Sequence, residues 1–337
     1  MITRTAAGWQ TEDWQIQLSS TISSVEMLFE RLNLPLDALP QRLQAAKNFP
    51  LRVPEAFVAK MKPGDPDDPL LLQVLPKGAE MLVQPGFVAD PLAERAANQQ
   101  QGMLHKYKNR VLVILSGSCA INCRYCFRRH FDYADNRLSS HDFEAIFAYL
   151  ASNPDINEVI LSGGDPLVVS NSRLQNLVTG LESIAHIKRL RIHTRMPVVI
   201  PERVDQGLLA CLEQTRLQII LVVHSNHAQE LDSVFGKAMQ LLKAAGVTLL
   251  NQSVLLKGVN DNLSALVNLS EALFDSGVQP YYLHLLDPVA GAAHFDVSEA
   301  EAVALMNSLI AEVSGYMVPK LVREVAGELS KTPISLS

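Results

Sequence analysis

The feature that most constrains this chain is a group of three cysteines just after a short apolar segment. Residues 111–115 are almost wholly apolar, which predicts a strand buried on both faces. Cys119, Cys123 and Cys126 follow it with the spacing C-x3-C-x2-C. Cysteine thiolates are the usual ligands of iron–sulfur clusters, and a cubane cluster takes four. With three local ligands, one iron would keep a position open for a ligand that is not protein.

Two other roles of the cysteines fit the spacing less well. A disulfide would leave one of the three unpaired, and nothing in the sequence indicates secretion. Zinc is the closer competitor, because the three cysteines and His130 could form a Cys3His site. Structural zinc sites, however, usually combine two knuckles from separate parts of a chain, and no second CxxC occurs here. An iron–sulfur cluster is therefore predicted, with zinc as the alternative.

Composition excludes several functional classes. The chain has 337 residues, is 48% hydrophobic and carries a formal net charge of −6, as expected of a soluble protein with a large core. This charge gives no reason to expect nucleic acid or a membrane surface as a partner. The first residues lack the apolar core of a signal peptide, and no apolar run approaches the ~20 residues of a membrane span. These features and the unpaired cysteines predict a cytoplasmic protein.

From residue 110 onward, strand-like and helix-like patterns alternate. Apolar runs suited to strands lie at 110–115, 157–161, 189–194, 217–223, 247–254 and 279–285. Helical patterns lie at 140–152, 171–184, 203–213, 229–245, 262–275 and 298–312, the last with a capping box at Ser298 and Glu301. Six successive βα units predict an α/β fold with a parallel sheet and right-handed crossovers. Because a closed barrel has eight units, we predict a partial (β/α)6 TIM-like barrel.

The chain is predicted to have three parts. Residues 1–105 form a helical, proline-punctuated extension, with packing or contacts in a homo-oligomer as its predicted role. Residues 106–315 form the partial barrel. Residues 316–337 contain one more strand-like run, at 316–325, and a polar tail. In a parallel sheet of this kind, ligands bind at the carboxyl ends of the strands, where the cysteine loop also lies.

Polar and glycine residues follow several predicted strands. Residues 162–165, Ser-Gly-Gly-Asp, come after the second strand, and the glycines would let the backbone approach a ligand closely, although a plain turn is the alternative. The segment 224–227, His-Ser-Asn-His, follows the fourth strand and indicates either a polar site or structural histidines. Asp287 ends the sixth strand as a buried, partnered carboxylate or as a solvated loop acid.

The spacing CxxxCxxC resembles the signature of radical S-adenosylmethionine (SAM) enzymes. From about Tyr107 onward the chain is more specifically similar to the lysine 2,3-aminomutase family. The supporting segments are CFRR after the last loop cysteine, LSGGDPL, RMPVVIPERV, HSNH, NQSVLLKGVNDN and PYYLHLLDP. Together these segments are much more specific than the cysteine spacing alone.

The resemblance implies three cofactors. The three cysteines would hold a [4Fe-4S] cluster whose open iron chelates SAM, reduced by a donor such as flavodoxin or ferredoxin. SAM contacts are implied for Ser162, Gly163, Gly164, Asp165, His224, Asn226 and Gln252. The third cofactor, pyridoxal 5′-phosphate (PLP), would be bound as a Schiff base by Lys331, with Tyr107 on its ring and Arg110 on its phosphate.

The lysine segment departs from the family pattern. The family uses a DAPGGGGK-type segment, and the corresponding residues here, 324–331, read EVAGELSK, so three of four glycines are replaced and the acid is glutamate. For the substrate, the resemblance implies that Arg128 binds the carboxylate, which suits a planar guanidinium. It assigns Asp287 and Glu324 to a second ammonium group. Two acids there favour lysine over glutamate, whose side chain they would repel.

The predicted function is therefore that of an isomerase that converts L-lysine to β-lysine by 1,2-amino migration. The chain resembles the short bacterial type that supplies β-lysine for modification of elongation factor P. Two alternatives are kept. One is a radical SAM enzyme that acts on another amino acid, with Lys331 incidental. The other is a zinc-stabilised binding module without catalysis.

Overall fold

A ten-stranded sheet with its strands in chain order dominates the structure, a computed structural model that describes residues 13–35, 39–94, 98–100, 102–131, 138, 140–328 and 330–336. The predicted extension and tail begin and end outside these residues, at 1–12 and 337. The strands are β1 (Asn98–Gln100), β2 (Met103–Tyr107), β3 (Arg110–Ser116), β4 (Glu158–Gly163), β5 (Arg189–Thr194), β6 (Gln218–His224), β7 (Thr248–Val254), β8 (Gln279–His284), β9 (Lys320–Arg323) and β10 (Thr332–Pro333). Strands β3 to β9 are parallel, whereas β1, β2 and β10 pair antiparallel at the two ends.

Helices connect the parallel strands and fill the extension. In the barrel they are α6 (Ser140–Ser152), α7 (Asn171–Glu182), α8 (Met196–Val199), α9 (Gln206–Glu213), α10 (Ser233–Ala244), α11 (Leu263–Asp275) and α12 (Glu299–Glu312). In the extension they are α1 (Trp14–Ser19), α2 (Val25–Arg31), α3 (Leu39–Asn48), α4 (Glu55–Val58) and α5 (Pro69–Leu72). The predicted capping box at α12 is confirmed, since the Ser298 side chain accepts from the Glu301 amide. Among the residues that the structure describes, no helix is both long and apolar enough to cross a membrane.

The sheet curves around one cavity of about 740 Å³. Strands β3 to β8 all contribute alternate side chains to its wall, for example Glu158, Ile160 and Ser162 of β4. Successive side chains of a strand point to opposite faces, so one face lines the cavity and the other meets the helices. On that outer face Val113 and Leu221 are fully buried. Six strands around one cavity require a curved sheet, and the predicted partial barrel is confirmed.

The extension shares a hydrophobic core with the barrel. Phe57 and Leu71 of the extension belong to the same buried cluster as Val113, Leu161 and Leu221 of the strands. The extension therefore does not pack as a separate unit, and the three-part division of the chain stays a prediction. The strand-like run predicted at 316–325 contains β9, a seventh parallel strand, but the run begins within a 3-10 helix at Gly315–Met317. Strands β1, β2 and β10 were not predicted, because they are short and their sequences lack a clear apolar alternation.

Candidate active site

The cysteine loop lies at the carboxyl end of β3. Cys119, Cys123 and Cys126 all line the cavity and none forms a disulfide. Burial raises the pKa of the Cys126 thiol to about 11, so a metal that binds there must displace a proton. Among the described residues, no three Asp, Glu, His or Cys side chains lie close enough together to hold a single metal ion. His130, the fourth ligand of the zinc alternative, is exposed, and its Nε2 lies 3.0 Å from the Ala290 carbonyl oxygen.

The two glycines at the carboxyl end of β4 allow other parts of the protein backbone and side chains to approach closely. Gly163 has a φ of +108°, and a Cβ there would lie 2.6 Å from Cγ2 of Ile114. A Cβ on Gly164 would lie 2.5 Å from the carbonyl oxygen of Ser118, in the cysteine loop. Any side chain at Gly164 would therefore displace the backbone of that loop. Both glycines also line the cavity, as predicted for contact with SAM.

Asp165 holds the loop that follows β5. Its Oδ1 accepts hydrogen bonds from Thr194 Oγ1 at 2.6 Å and the Leu167 amide at 2.9 Å. Its Oδ2 accepts from the amides of Arg195 at 2.7 Å and Met196 at 3.0 Å. The carboxylate lines the cavity, but both of its oxygens are bonded to protein. The geometry therefore favours a positioning role for Asp165 over a contact with SAM through its side chain.

Three of the four other predicted SAM contacts, among them Ser162, reach the cavity. His224 and Gln252 line it; His224 Nε2 lies 2.8 Å from Tyr125 Oη, and Gln252 Nε2 lies 3.5 Å from His193 Nδ1. Burial lowers the pKa of His224 to about 3, so its imidazole is neutral. Asn226 is fully buried outside the cavity lining, and its Nδ2 donates to Tyr125 Oη at 2.7 Å. A direct contact of Asn226 with SAM is therefore not supported by its position.

Arg128, the predicted partner of the substrate carboxylate, forms a buried ion pair with Glu94. Its Nε and Nη2 donate to the two Glu94 oxygens at 2.6 and 2.8 Å, and both side chains are about 5% exposed. Nη1 donates to Ser162 Oγ at 3.0 Å, so Ser162 also helps to hold the Arg128 guanidinium. Burial opposes the charge of Glu94, but Arg128 outweighs it and lowers the pKa of Glu94 to about 2. The guanidinium is thus fixed in orientation.

Charges of alternating sign continue from this pair to Lys331. Lys106 Nζ lies 3.3 Å from Glu94 Oε1 and 3.9 Å from Glu324 Oε1. Lys331 Nζ donates to Glu324 Oε2 at 2.8 Å and lies 5.8 Å from the ring centroid of Tyr282. Burial raises the pKa of Glu324, but Lys331 outweighs it and the net pKa is lowered. The structure therefore brings Glu324 and Lys331 together in the same cavity.

Tyr107 and Arg110 stand next to Glu324. The Arg110 guanidinium lies 4.2 Å above the Tyr107 ring, and Tyr107 Oη donates to Glu324 Oε1 at 3.4 Å. Burial, followed by the Glu324 charge, raises the pKa of Tyr107 to about 12, so the phenol stays protonated. The residues predicted to bind PLP therefore converge on one part of the cavity wall.

Asp287 completes the predicted acid pair. It is half-buried in the cavity wall, and the loss of solvation there, followed by the charge of Glu324, raises its pKa to about 7. The shift shows that Asp287 and Glu324 repel each other when both are ionised. A bound ammonium group would relieve that repulsion.

The donor sets fit the implied cofactors. Each thiolate of a four-iron cluster binds a different iron, so the loop cysteines need not converge on one point. Lys331 is joined to Tyr107 through Glu324, and Arg110 stacks on Tyr107, so an amine, an aromatic face and a cation are available to PLP. The cavity of about 740 Å³ is within the range of cofactor and ligand sites.

Several residues of the site were not predicted. Glu94 and Lys106 belong to segments without a recognised motif, and only the tertiary structure brings them to the cavity. His193 and His284, on β5 and β8, also line it. Arg195 lies in the segment RMPVVIPERV, so the motif marked its neighbourhood without indicating its role.

Comparisons with known proteins agree with this geometry. Residues 113–210 match the Radical SAM superfamily. A protein of Escherichia coli (strain K12) named L-lysine 2,3-aminomutase is 52% identical over 96% of this chain and 95% of its own length. One of the same name from Haemophilus influenzae is 49% identical over 96% of each chain. One from Clostridium subterminale is 32% identical over 97% of this chain and 78% of its own length.

Proposed function

The chain belongs to the L-lysine 2,3-aminomutase family of radical SAM enzymes, and we propose that it converts L-lysine to β-lysine by 1,2-amino migration. The observation that carries the proposal is the convergence of Arg128, Asp287, Glu324 and Lys331 on the cavity that the three loop cysteines also line. A cation for a carboxylate and two acids for a distant ammonium match the charges of lysine.

Each end of the substrate would meet a group of opposite charge. Arg128 would bind the α-carboxylate, and its pairing with Glu94 supports this because the guanidinium plane is held in place before substrate arrives. Asp287 and Glu324 would bind the ε-ammonium. With its pKa near 7, Asp287 would lose a proton readily when the ammonium binds. A glutamate substrate would place a third carboxylate against this pair.

The cofactors would be held by different residues of the cavity wall. Cys119, Cys123 and Cys126 would hold a [4Fe-4S] cluster, and Lys331, Tyr107 and Arg110 would hold PLP. SAM would lie against Gly163, Gly164, His224 and Gln252, next to the cluster. When bound, the reduced cluster and SAM would supply a hydrogen-abstracting carbon radical, and PLP an electron-withdrawing ring. The protein residues orient these groups and exclude water from the buried site.

The test is an anaerobic assay. Protein reconstituted with iron and sulfide is incubated with PLP, SAM, a reductant and L-lysine, and β-lysine is sought by mass spectrometry after derivatisation. We expect product only when every component is present. Deoxyadenosine without β-lysine would support the alternative of another amino acid substrate, and a panel of amino acids including glutamate would identify it. The absence of both deoxyadenosine and β-lysine, with protein that holds an intact cluster, would contradict the proposal.

The alternative of a zinc-stabilised binding module is set aside, because the relatives are enzymes and His130, unlike the three cysteines, does not line the cavity. Metal analysis of anaerobically purified protein tests this directly. We expect iron and sulfide. Zinc in their place would restore the alternative.

We also propose a physiological setting. The product would serve the modification of elongation factor P, as the resemblance to the short bacterial type suggests. The enzyme would work in the cytoplasm with a flavodoxin- or ferredoxin-type electron donor, since a reduced cluster needs both reducing surroundings and a one-electron source. The mass of elongation factor P from a deletion strain tests the first point, and an unchanged mass would contradict it.

A further inference from the structure

Arg195 contacts the sulfur of a predicted cluster ligand. Its Nη1 donates to Cys123 Sγ at 2.7 Å and to Tyr125 Oη at 2.9 Å. Its Nη2 donates to Gln73 Oε1 at 2.7 Å and to Glu230 Oε2 at 2.9 Å. The residue is only 6% exposed. A buried cation therefore lies in direct hydrogen-bonding contact with the cysteine loop.

This guanidinium is held in place by several parts of the chain. Asp165 fixes the Arg195 backbone amide at 2.7 Å. Glu230, the ion-pair partner, is fully buried and also accepts the amides of Asn226 at 2.9 Å and His227 at 3.0 Å. Removal of any one contact would leave the others in place, so Arg195 has a preorganised position.

The extension supplies the central residue of the network. Gln73, which is fully buried, accepts from Arg195 and from Asn226 Nδ2 at 3.0 Å, and Tyr125 Oη donates to it at 3.3 Å. Its Nε2 donates to Glu230 Oε1 at 3.2 Å, and its backbone carbonyl accepts the amide of Arg124, between two loop cysteines. The extension thus reaches the immediate surroundings of the cluster site.

We propose that Arg195 raises the reduction potential of the cluster through its hydrogen bond to Cys123 Sγ, and that Gln73 and Glu230 position it for this. Reduction transfers one electron from the donor to the cluster, with no bond made or broken. Net charge and hydrogen bonds to sulfur are among the factors that set cluster potentials. A cation that donates to a ligand sulfur stabilises the more negative, reduced cluster. The inference rests on the proposed function in one respect, namely that the three cysteines bind a [4Fe-4S] cluster.

The test is a redox titration of the cluster, followed by electron paramagnetic resonance. Full-length protein carries cluster and PLP, and SAM is withheld so that the reduced cluster persists. In Arg195→Gln we expect the equilibrium constant for reduction to fall about tenfold, which is about 59 mV for a one-electron couple. In Glu230→Gln, a buried negative charge is lost but the Arg195 guanidinium that donates to Cys123 is retained. We therefore expect the potential to shift in the opposite direction. Arg195→Lys, which keeps the charge, should lie between Arg195→Gln and the wild type.

A matched control is available in Arg203→Gln. Arg203 is also a fully buried arginine, but its Nε and Nη2 donate to the carbonyl oxygens of Leu167 and Val169, at 2.6 and 3.3 Å. Its replacement should leave the potential unchanged even if it lowers stability. The control separates a direct electrostatic effect from general loosening of the structure.

Two results would overturn the inference. One is a shift in reduction potential between Arg195→Gln and the wild type that corresponds to less than about a threefold change in the equilibrium constant for reduction. The other is a shift of the same sign in Arg195→Gln and Glu230→Gln, which would indicate solvent entry rather than charge. Incomplete cluster loading does not affect the result, because the midpoint potential is measured on the fraction of protein that holds a cluster. Protein that holds a cluster with the expected potentials but makes no β-lysine would contradict only the proposed function.

Discussion

Replacement of Glu94 by glutamine tests whether the buried ion pair with Arg128 stabilises the site. The wild-type pair has two N···O contacts, at 2.6 and 2.8 Å, between side chains that are about 5% exposed. The glutamine amide can still accept one hydrogen bond from the guanidinium. It cannot balance the Arg128 charge, which would remain buried with weaker compensation.

The magnitude follows from the pKa of Glu94, which is lowered from 4.5 to about 2. At 1.36 kcal/mol for each pKa unit, ionisation of Glu94 in this site stabilises the folded protein by roughly 3 kcal/mol. Because glutamine retains one acceptor, we expect Glu94→Gln to lower the free energy of unfolding by about 2–3 kcal/mol. A carboxyl with a lowered pKa stabilises the folded protein above its unfolded pKa of about 4.3, and the effect is lost as pH falls toward 2. The loss should therefore be fully present at pH 6 and smaller near pH 3.

The assay is anaerobic denaturant unfolding of protein without cofactors, followed by circular dichroism. Glu55→Gln is the matched control, since it removes the same charge from the surface pair Arg31–Glu55, with an N···O distance of 3.2 Å and side chains 54% and 33% exposed. Surface pairs contribute about 0–1 kcal/mol. A loss in Glu94→Gln at pH 6 that is no larger than that in Glu55→Gln would refute the reasoning.

Three further predictions concern the cofactor sites. Lys331→Ala should abolish the visible absorbance of bound PLP, because it removes the amine that would form the Schiff base. It should leave the iron content unchanged, because the Lys331 ammonium is bonded to Glu324. Absorbance that survives would show that another group holds PLP. Gly164→Ala should reduce iron bound after reconstitution several-fold, since its Cβ would lie 2.5 Å from the Ser118 carbonyl oxygen, whereas Gly236→Ala, which meets nothing within 4 Å, should bind iron normally. Asp287 has its pKa raised to about 7, so its contribution to stability is present below its unfolded pKa of about 3.9 and is lost as pH rises through 7. Asp287→Asn should therefore be increasingly more stable than wild type from pH 5 to 8 in denaturant unfolding without cofactors, and a difference that does not grow would contradict the assignment.

Most of the barrel could be predicted because its signals are local. Strands β3 to β8 are apolar runs and the helices other than α8 are mostly amphipathic, so their bounds fall within a few residues of the predicted ones. The four-residue helix α8 was not predicted. Strand β2 reads MLHKY, and its extended conformation depends on antiparallel pairing with β3. A pairing of that kind is a tertiary effect that a short sequence window does not contain.

The site divides in the same way. The positions of the loop cysteines and Lys331 follow from recognisable segments, and the structure brings them to one cavity. Glu94 and Gln73 are single polar residues of the extension, about fifty residues or fewer from the cysteine loop, and nothing in their neighbours indicates a role. Their contacts arise only when the extension packs on the barrel. The glycine pair was recognised from the sequence, whereas its close contacts with Ile114 and the cysteine loop are visible only in the structure.

The hairpin of β9 and β10 explains which changes the lysine segment tolerates. Thr332 pairs with Arg323, so the next residues toward the turn, Lys331 and Glu324, lie opposite each other. Lys331 Nζ lies 2.8 Å from Glu324 Oε2. Insertion or deletion of one residue in the six between them would turn the lysine to the opposite side of the sheet. The loss of glycines relative to the family pattern keeps this spacing. The length of this turn, rather than its glycine content, is thus the property that must be kept for Lys331 to face Glu324.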